Sequence, residues 1–187
     1  MPDPDYMTYE EFGRQFFEIA VTEERIADAL ATIAGEGFEL GPIAQGPGKI
    51  AKVTAKVKIQ TPVVKRHLGE QITFSIRIPL EIDMMIDLKI DKPKFMVFGE
   101  IELGATALAA APLVLILDVP KPRPSDISIH VTSKSLRAEV VRIVAGVDDE
   151  IKRFIAAHVA GEIDSPASHQ AKVIDVGSQI AEVWTGV

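Results

Sequence analysis

Residues 73–90 read TFSIRIPLEIDMMIDLKI, and every second side chain is apolar, from Phe74 and Ile76 through Ile86 and Leu88 to Ile90. A period of two belongs to a strand, whose side chains alternate between faces. The intervening residues include Thr73, Ser75, Arg77, Glu81, Asp83, Asp87 and Lys89, so one face is buried and the other is wet. At about 3.3 Å per residue this alternation spans on the order of 55–60 Å. An ordinary strand has about 5–6 residues. The segment is therefore strongly curved, or is broken near Pro79 without losing its facing. Pro79 has no N–H for a ladder and belongs at an edge or bulge.

The same period recurs on both sides. Ala51, Val53, Ala55, Val57 and Ile59 alternate with Lys52, Thr54, Lys56 and Lys58, a half-buried strand with a basic outer face. Asp91 to Lys94 form a turn. Phe95, Val97, Ile101 and Leu103 resume the alternation with Gly99 inward, where it marks a bend or a bulge. Leu113, Leu115, Leu117 and Val119 form another face. Pro120 to Pro124 are a rigid connector, and Ile127, Ile129 and Val131 a last strand. Residues 37–48 hold Gly37, Gly41, Pro42, Gly46, Pro47 and Gly48 and read as a loop; no Gly-Lys-Ser/Thr follows to make it a phosphate loop.

Helical spacing appears at both ends. Thr8 and Glu11 fit a capping box, followed by Phe12, Phe16, Ile19 and Ala20 on one stripe. Thr22 before Glu23 and Glu24 is a second cap, giving a helical pair or one helix bent near Thr22. Ile26, Ala29, Leu30 and Ile33 continue the stripe to Gly35. After Ser133 or Ser135 as cap, Val140, Val144, Val147, Ile151, Phe154, Ile155 and Val159 form a broad apolar stripe, with a kink or second helix start at Gly146. Ser165-Pro166 breaks it, and a closing helix carries Ile180, Val183 and Trp184.

We expect an α+β fold: a long curved antiparallel sheet wrapped around a long C-terminal helix, with an N-terminal helical pair. A single domain would cover residues 1–187, with a disordered lead over 1–7, helices over 8–34, the sheet over 49–132 and helices over 133–187.

Residues 103–119, LGATALAAAPLVLILDV, invite a membrane reading. Their uncharged run is about 15 residues, short of the ~20 that a spanning helix needs, and Pro112 interrupts it. The stretch instead divides into a strand end rich in alanine and a new strand from Leu113. The acidic, proline-bearing N-terminus lacks a signal-peptide pattern, and the chain has no cysteine, so we expect a cytoplasmic protein. A net charge of -7 argues against nucleic acid as partner.

No motif assigns a catalytic residue, a metal ligand or a cofactor. His67, His130, His158 and His169 make no metal-type pair and read as solvated or capping residues. Glu81, Asp83 and Asp87 share a strand face and read as solvated charge. Asp148, Asp149 and Glu150 suit a helix N-terminus. No Gly-x-Ser-x-Gly elbow is present.

In element order and period the chain resembles the TULIP superfamily of tubular lipid-binding proteins, including the takeout, SMP-domain and bactericidal permeability-increasing groups. The resemblance runs through the strands at 49–60, 73–90, 95–103 and 113–119, the connector 120–124 and the helix after Ser133. It implies an apolar channel between sheet and helix. Its expected walls are Phe74, Ile76, Ile78, Leu80, Ile82 and Met84 from the long strand. Val97, Leu115 and Leu117 follow from later strands, with Val144 and Phe154 from the helix. The leading expectation is a non-enzymatic carrier of a lipid, acyl chain or other hydrophobic small molecule. A second is an interaction protein that forms a homodimer through the outward residues Met85, Met96, Phe98, Val114 and Ile116. A third is an enzyme of polyketide-cyclase type, which needs polar groups such as Arg77 or His130 turned inward.

Overall fold

The computed structural model describes residues 5–31, 36–45, 48, 51–130 and 138–185. In chain order the helices are α1 (Tyr9–Ala20), α2 (Glu23–Ala31), α3 (Ala138–Ile163), α4 (Pro166–Lys172) and α5 (Val176–Thr185). The strands are β1 (Gly37–Gln45), β2 (Ala51–Ile59), β3 (Val63–His67), β4 (Ile72–Asp87), β5 (Lys94–Ala110), β6 (Val114–Asp118), β7 (Ile127–His130) and β8 (Val173–Asp175).

The long alternation is one unbroken strand as far as Asp87, and β4 with β5 forms the spine of a strongly curled antiparallel sheet. Neither strand has a single neighbour on its outer side. β2 pairs with β4 from Leu80 to Asp87, and β3 pairs with it from Thr73 to Arg77. On the far side, β7 flanks β5 at Phe98–Ile101 and β6 at Thr106–Ala110. Short strands placed end to end along two long ones let the sheet curl.

Pro79 stands where β2 gives way to β3. Its carbonyl accepts from the Gln60 N–H at 2.9 Å. In an antiparallel strand a residue's N–H and C=O point to the same side. The donor that Pro79 lacks would thus face Gln60, just past the end of β2, so the proline removes only the terminal bond of that pairing.

Gly99 causes no bulge, since the β4–β5 register runs through it without a shift. It is buried, and the carbonyl of Ser128 on β7 lies 2.8 Å from where a Cβ would stand. The glycine permits close approach of a neighbouring backbone.

The sheet begins earlier than residue 49. Residues 37–45, expected as loop, form an edge strand along β2 with a register shift between Leu40 and Ile43. Gly41 makes the bulge, with φ +103 and the Val53 carbonyl 2.5 Å from a would-be Cβ. Leu40 and Ile43 are buried on either side, so the bulge preserves the facing while hiding the period. β3 and β8 were likewise not anticipated as strands. Ile90 belongs to the β4–β5 turn rather than to the strand and is 99% exposed.

The polar outer face is paired by charge. Lys52, Lys56 and Lys58 of β2 stand opposite Asp87, Asp83 and Glu81 of β4, and Lys56 also meets Glu39 of β1 at 3.6 Å. The acidic row thus faces a basic one. Cross-strand opposite charges contribute roughly 0.2–1 kcal/mol each.

The inner face packs against α3, an unbroken helix with no second start at Gly146; Asp148 lies within it and pairs with Lys152 at 2.6 Å. α3 touches β1 at one edge of the curl, and β7 and the turn at Pro124–Asp126 on the other side. Its buried side chains are Val147, Ile151, Ile155, Ala156 and Val159. The His158 ring stacks on Phe38 of β1 at 3.8 Å, so this histidine is an aromatic packing residue. Val131, Ser133 and Ser135 lie outside the described residues, as do residues 1–4 and 32–35.

At the other end, Thr8 and Glu11 form the expected capping box and Thr22 accepts from the Arg25 N–H. The α1–α2 corner is anchored by Arg66 of β3. Its guanidinium Nη1 donates to the carbonyls of Glu18 and Val21 at 2.7 and 2.9 Å, and the Arg66 backbone N–H donates to Glu23 Oε1 at 2.6 Å. No helix among the described residues is long and apolar enough to cross a membrane. Residues 103–119 span a strand-to-strand connection, from β5 to β6.

Candidate functional site

Phe74, Ile76, Ile78, Leu80, Ile82, Met84 and Val97 are each 2% exposed or less and belong to one continuous apolar cluster. Among the described residues this cluster holds no buried polar or charged side chain. Phe154 points away from it and is 46% exposed. The Val144 side chain lies outside the described residues. Arg77 and His130 face solvent, on the outer side of β4 and of β7. Of the expected walls, Leu115 and Leu117 line an open groove.

That space is an apolar groove beside the sheet–helix interior. Its larger part, about 390 Å³, runs between α1, the β6–β8 edge and α5. Phe16, Ile19 and Ala20 form one bank, Leu115 and Ile174 the floor, and Val176, Ile180 and Val183 the other bank, with Gln179 and Arg25 as its polar lining. A smaller recess of about 80 Å³ continues under α2 to Ala107, Leu117 and Lys172. The two share Ala20, Arg25, Leu115 and Ile174.

Local sequence explains each bank. The α1 stripe has more apolar residues than the sheet can cover, and Ile19 remains 72% exposed. α5 starts from Asp175, whose carboxylate accepts from the Ser178 N–H at 2.9 Å and from its hydroxyl at 2.7 Å. These bonds hold the Asp175 carboxyl below the usual range. The Val176 and Gly177 N–H groups donate to the Leu113 carbonyl, which ties α5 to the start of β6. α5 then presents Ile180 and Val183 to the groove, 46% and 72% exposed. Arg25 Nη1 donates to the Ala20 carbonyl at 2.7 Å, holding the guanidinium beside the shared part of the two spaces.

Sequence reasoning placed Phe16, Ile19, Ile180 and Val183 on apolar stripes without bringing them together, and it passed over Arg25. The available signal was an excess of stripe: two short amphipathic helices with apolar residues beyond what one contact face requires. Elsewhere, His67 Nε2 lies 2.8 Å from the Ser75 hydroxyl on the exposed β3–β4 surface. No carboxylate orients that ring among the described residues, so the pair lacks the third member of a triad. No group of His, Asp and Glu that could hold a metal ion occurs among the described residues.

No protein-family model matches the chain, and no curated protein matches it.

Proposed function

We propose that the protein binds an apolar chain, such as a lipid tail or a hydrophobic small molecule, in the groove between α1, the β6–β8 edge and α5. The observation that carries this is the groove itself: about 390 Å³, within the range of ligand sites, with apolar walls and few polar groups. The resemblance to tubular lipid-binding proteins suggests the same ligand class at a different place, since most of the channel walls it implies are buried in the apolar core. A tail of ten methylenes releases roughly 8 kcal/mol, at about 0.8 kcal/mol each. The cost of association, about 4 kcal/mol or more, is subtracted from this gain. The absence of cysteine fits a cytoplasmic setting.

Titration with N-phenyl-1-naphthylamine, a dye that fluoresces in apolar surroundings, tests the site. The wild type should take up dye, and Ile180→Glu should abolish uptake while leaving the unfolding midpoint within a few degrees. A wild type that takes up no dye, or an Ile180→Glu protein that binds equally well, contradicts the proposal.

A second reading is a homodimer through the outer face of β5, where Met96 and Phe98 lie two residues apart and are 43% and 45% exposed. It predicts a mass that doubles with concentration in light scattering. A constant monomer mass would dismiss it.

A further inference from the structure

The groove is one-sided in charge. Among the described residues its ionisable wall residues are Arg25, shared by both spaces, and Lys172, in the smaller recess, and no carboxylate lines either. Both cations are held in place by backbone carbonyls, Arg25 by Ala20 at 2.7 Å and Lys172 by Ile163 at 2.8 Å. A guanidinium held at one nitrogen keeps its other N–H groups available in a fixed plane, a geometry suited to a carboxylate. The apolar length lies on the other side of Arg25, along Ile19, Ile180 and Val183.

Resting on the proposed apolar-chain site, we infer that its ligand is an anionic single-chain amphiphile. The tail lies between α1 and α5, and the acidic head meets Arg25. A neutral or cationic head would leave Arg25 uncompensated at the same place. The distinguishing property is therefore head-group charge at constant chain length.

Dye displacement by dodecanoate, dodecan-1-ol and dodecylamine, each below its aggregation concentration, reads this directly. Dodecanoate should compete about tenfold better than the alcohol, the ratio for one charge-assisted hydrogen bond, and the amine should compete least. Raised salt should narrow the preference. Arg25→Gln should bring dodecanoate down to the level of the alcohol, and Arg25→Lys, which keeps the charge without the planar fork, should fall between the wild type and Arg25→Gln. Equal competition by acid and alcohol in the wild type, or an equal loss of both in Arg25→Gln, overturns the head-group inference and leaves the groove standing. Failure of dye and all three amphiphiles to bind overturns both.

Discussion

Replacing Gly99 with alanine tests how the curl of the sheet is held. The new methyl would stand 2.8 Å from the Ser128 carbonyl, with Ile82 Cδ1 and Ile129 Cγ1 at 3.7 Å. The nearest atom is backbone, so relief requires β7 to move away from β5. β7 leads toward α3 and touches it, so the shift loosens the packing that closes the curl. Overpacking of this kind costs about 1–3 kcal/mol. Alanine recovers roughly 0.5–1 kcal/mol over glycine in a strand. The net loss is up to about 2.5 kcal/mol, and each kcal/mol lowers the midpoint of a chain this long by about 2–4 °C. Gly104 on the same strand is the control, because its would-be Cβ meets nothing nearer than the Phe74 carbonyl at 3.9 Å. Gly104→Ala should be neutral or slightly stabilising. Urea unfolding and scanning calorimetry of both variants measure the difference. A Gly99→Ala protein as stable as Gly104→Ala would refute the close-approach account.

Arg66→Met should release the α1–α2 corner, since two backbone carbonyls lose a charged donor, at about 1–3 kcal/mol; amide exchange in α1 and α2 should rise before that of β4. Lys56→Glu sets a third carboxylate between Glu39 and Asp83 and should lower stability by up to about 1 kcal/mol in urea unfolding, less at high salt. Acid should act on the carboxylates that the fold holds ionised. The Thr8 N–H keeps Glu11 below the usual range, and the Lys92 ammonium does the same for Asp87. A folded-state value below the unfolded one gives stability that is present above the ordinary carboxylate range and is lost as pH falls through the lowered value. Amide exchange of the first turn of α1 and of the β4–β5 turn should therefore increase in that acid window, and Glu11→Gln should remove the pH dependence in α1.

Much of this architecture is legible in the chain because period is local. The alternation over β2, β4 and β5 and the Thr8–Glu11 box need only neighbours to be read. β1 escaped because its bulge at Gly41 shifts Leu40 and Ile43 out of a strict period of two, and its glycines and proline imitate a loop. β3 escaped for a different reason. One of its inward residues is Arg66, half-buried and turned not to apolar side chains but to the carbonyls of an α-helical corner far away in sequence. β8 has only Val173–Asp175 and exists because β6 is there to pair with it. The groove shows the same limit. Phe16, Arg25, Leu115, Ile174 and Ile180 come from separate elements, and no spacing in the chain reports that they meet. The inward faces of β4 and β5 are clear in the sequence as apolar. Whether an apolar face packs tightly or leaves space depends on its distance from α3, which periodicity does not encode.

Methyl-resolved NMR during a dodecanoate titration tests the central claim most directly. Ile19, Leu115, Ile174, Ile180 and Val183 should shift together and saturate with one affinity, while Ile76, Ile78 and Ile82 stay in place. Shifts concentrated on Ile76, Ile78 and Ile82, with Ile180 and Val183 unmoved, would put the ligand between the sheet and α3 and contradict the groove.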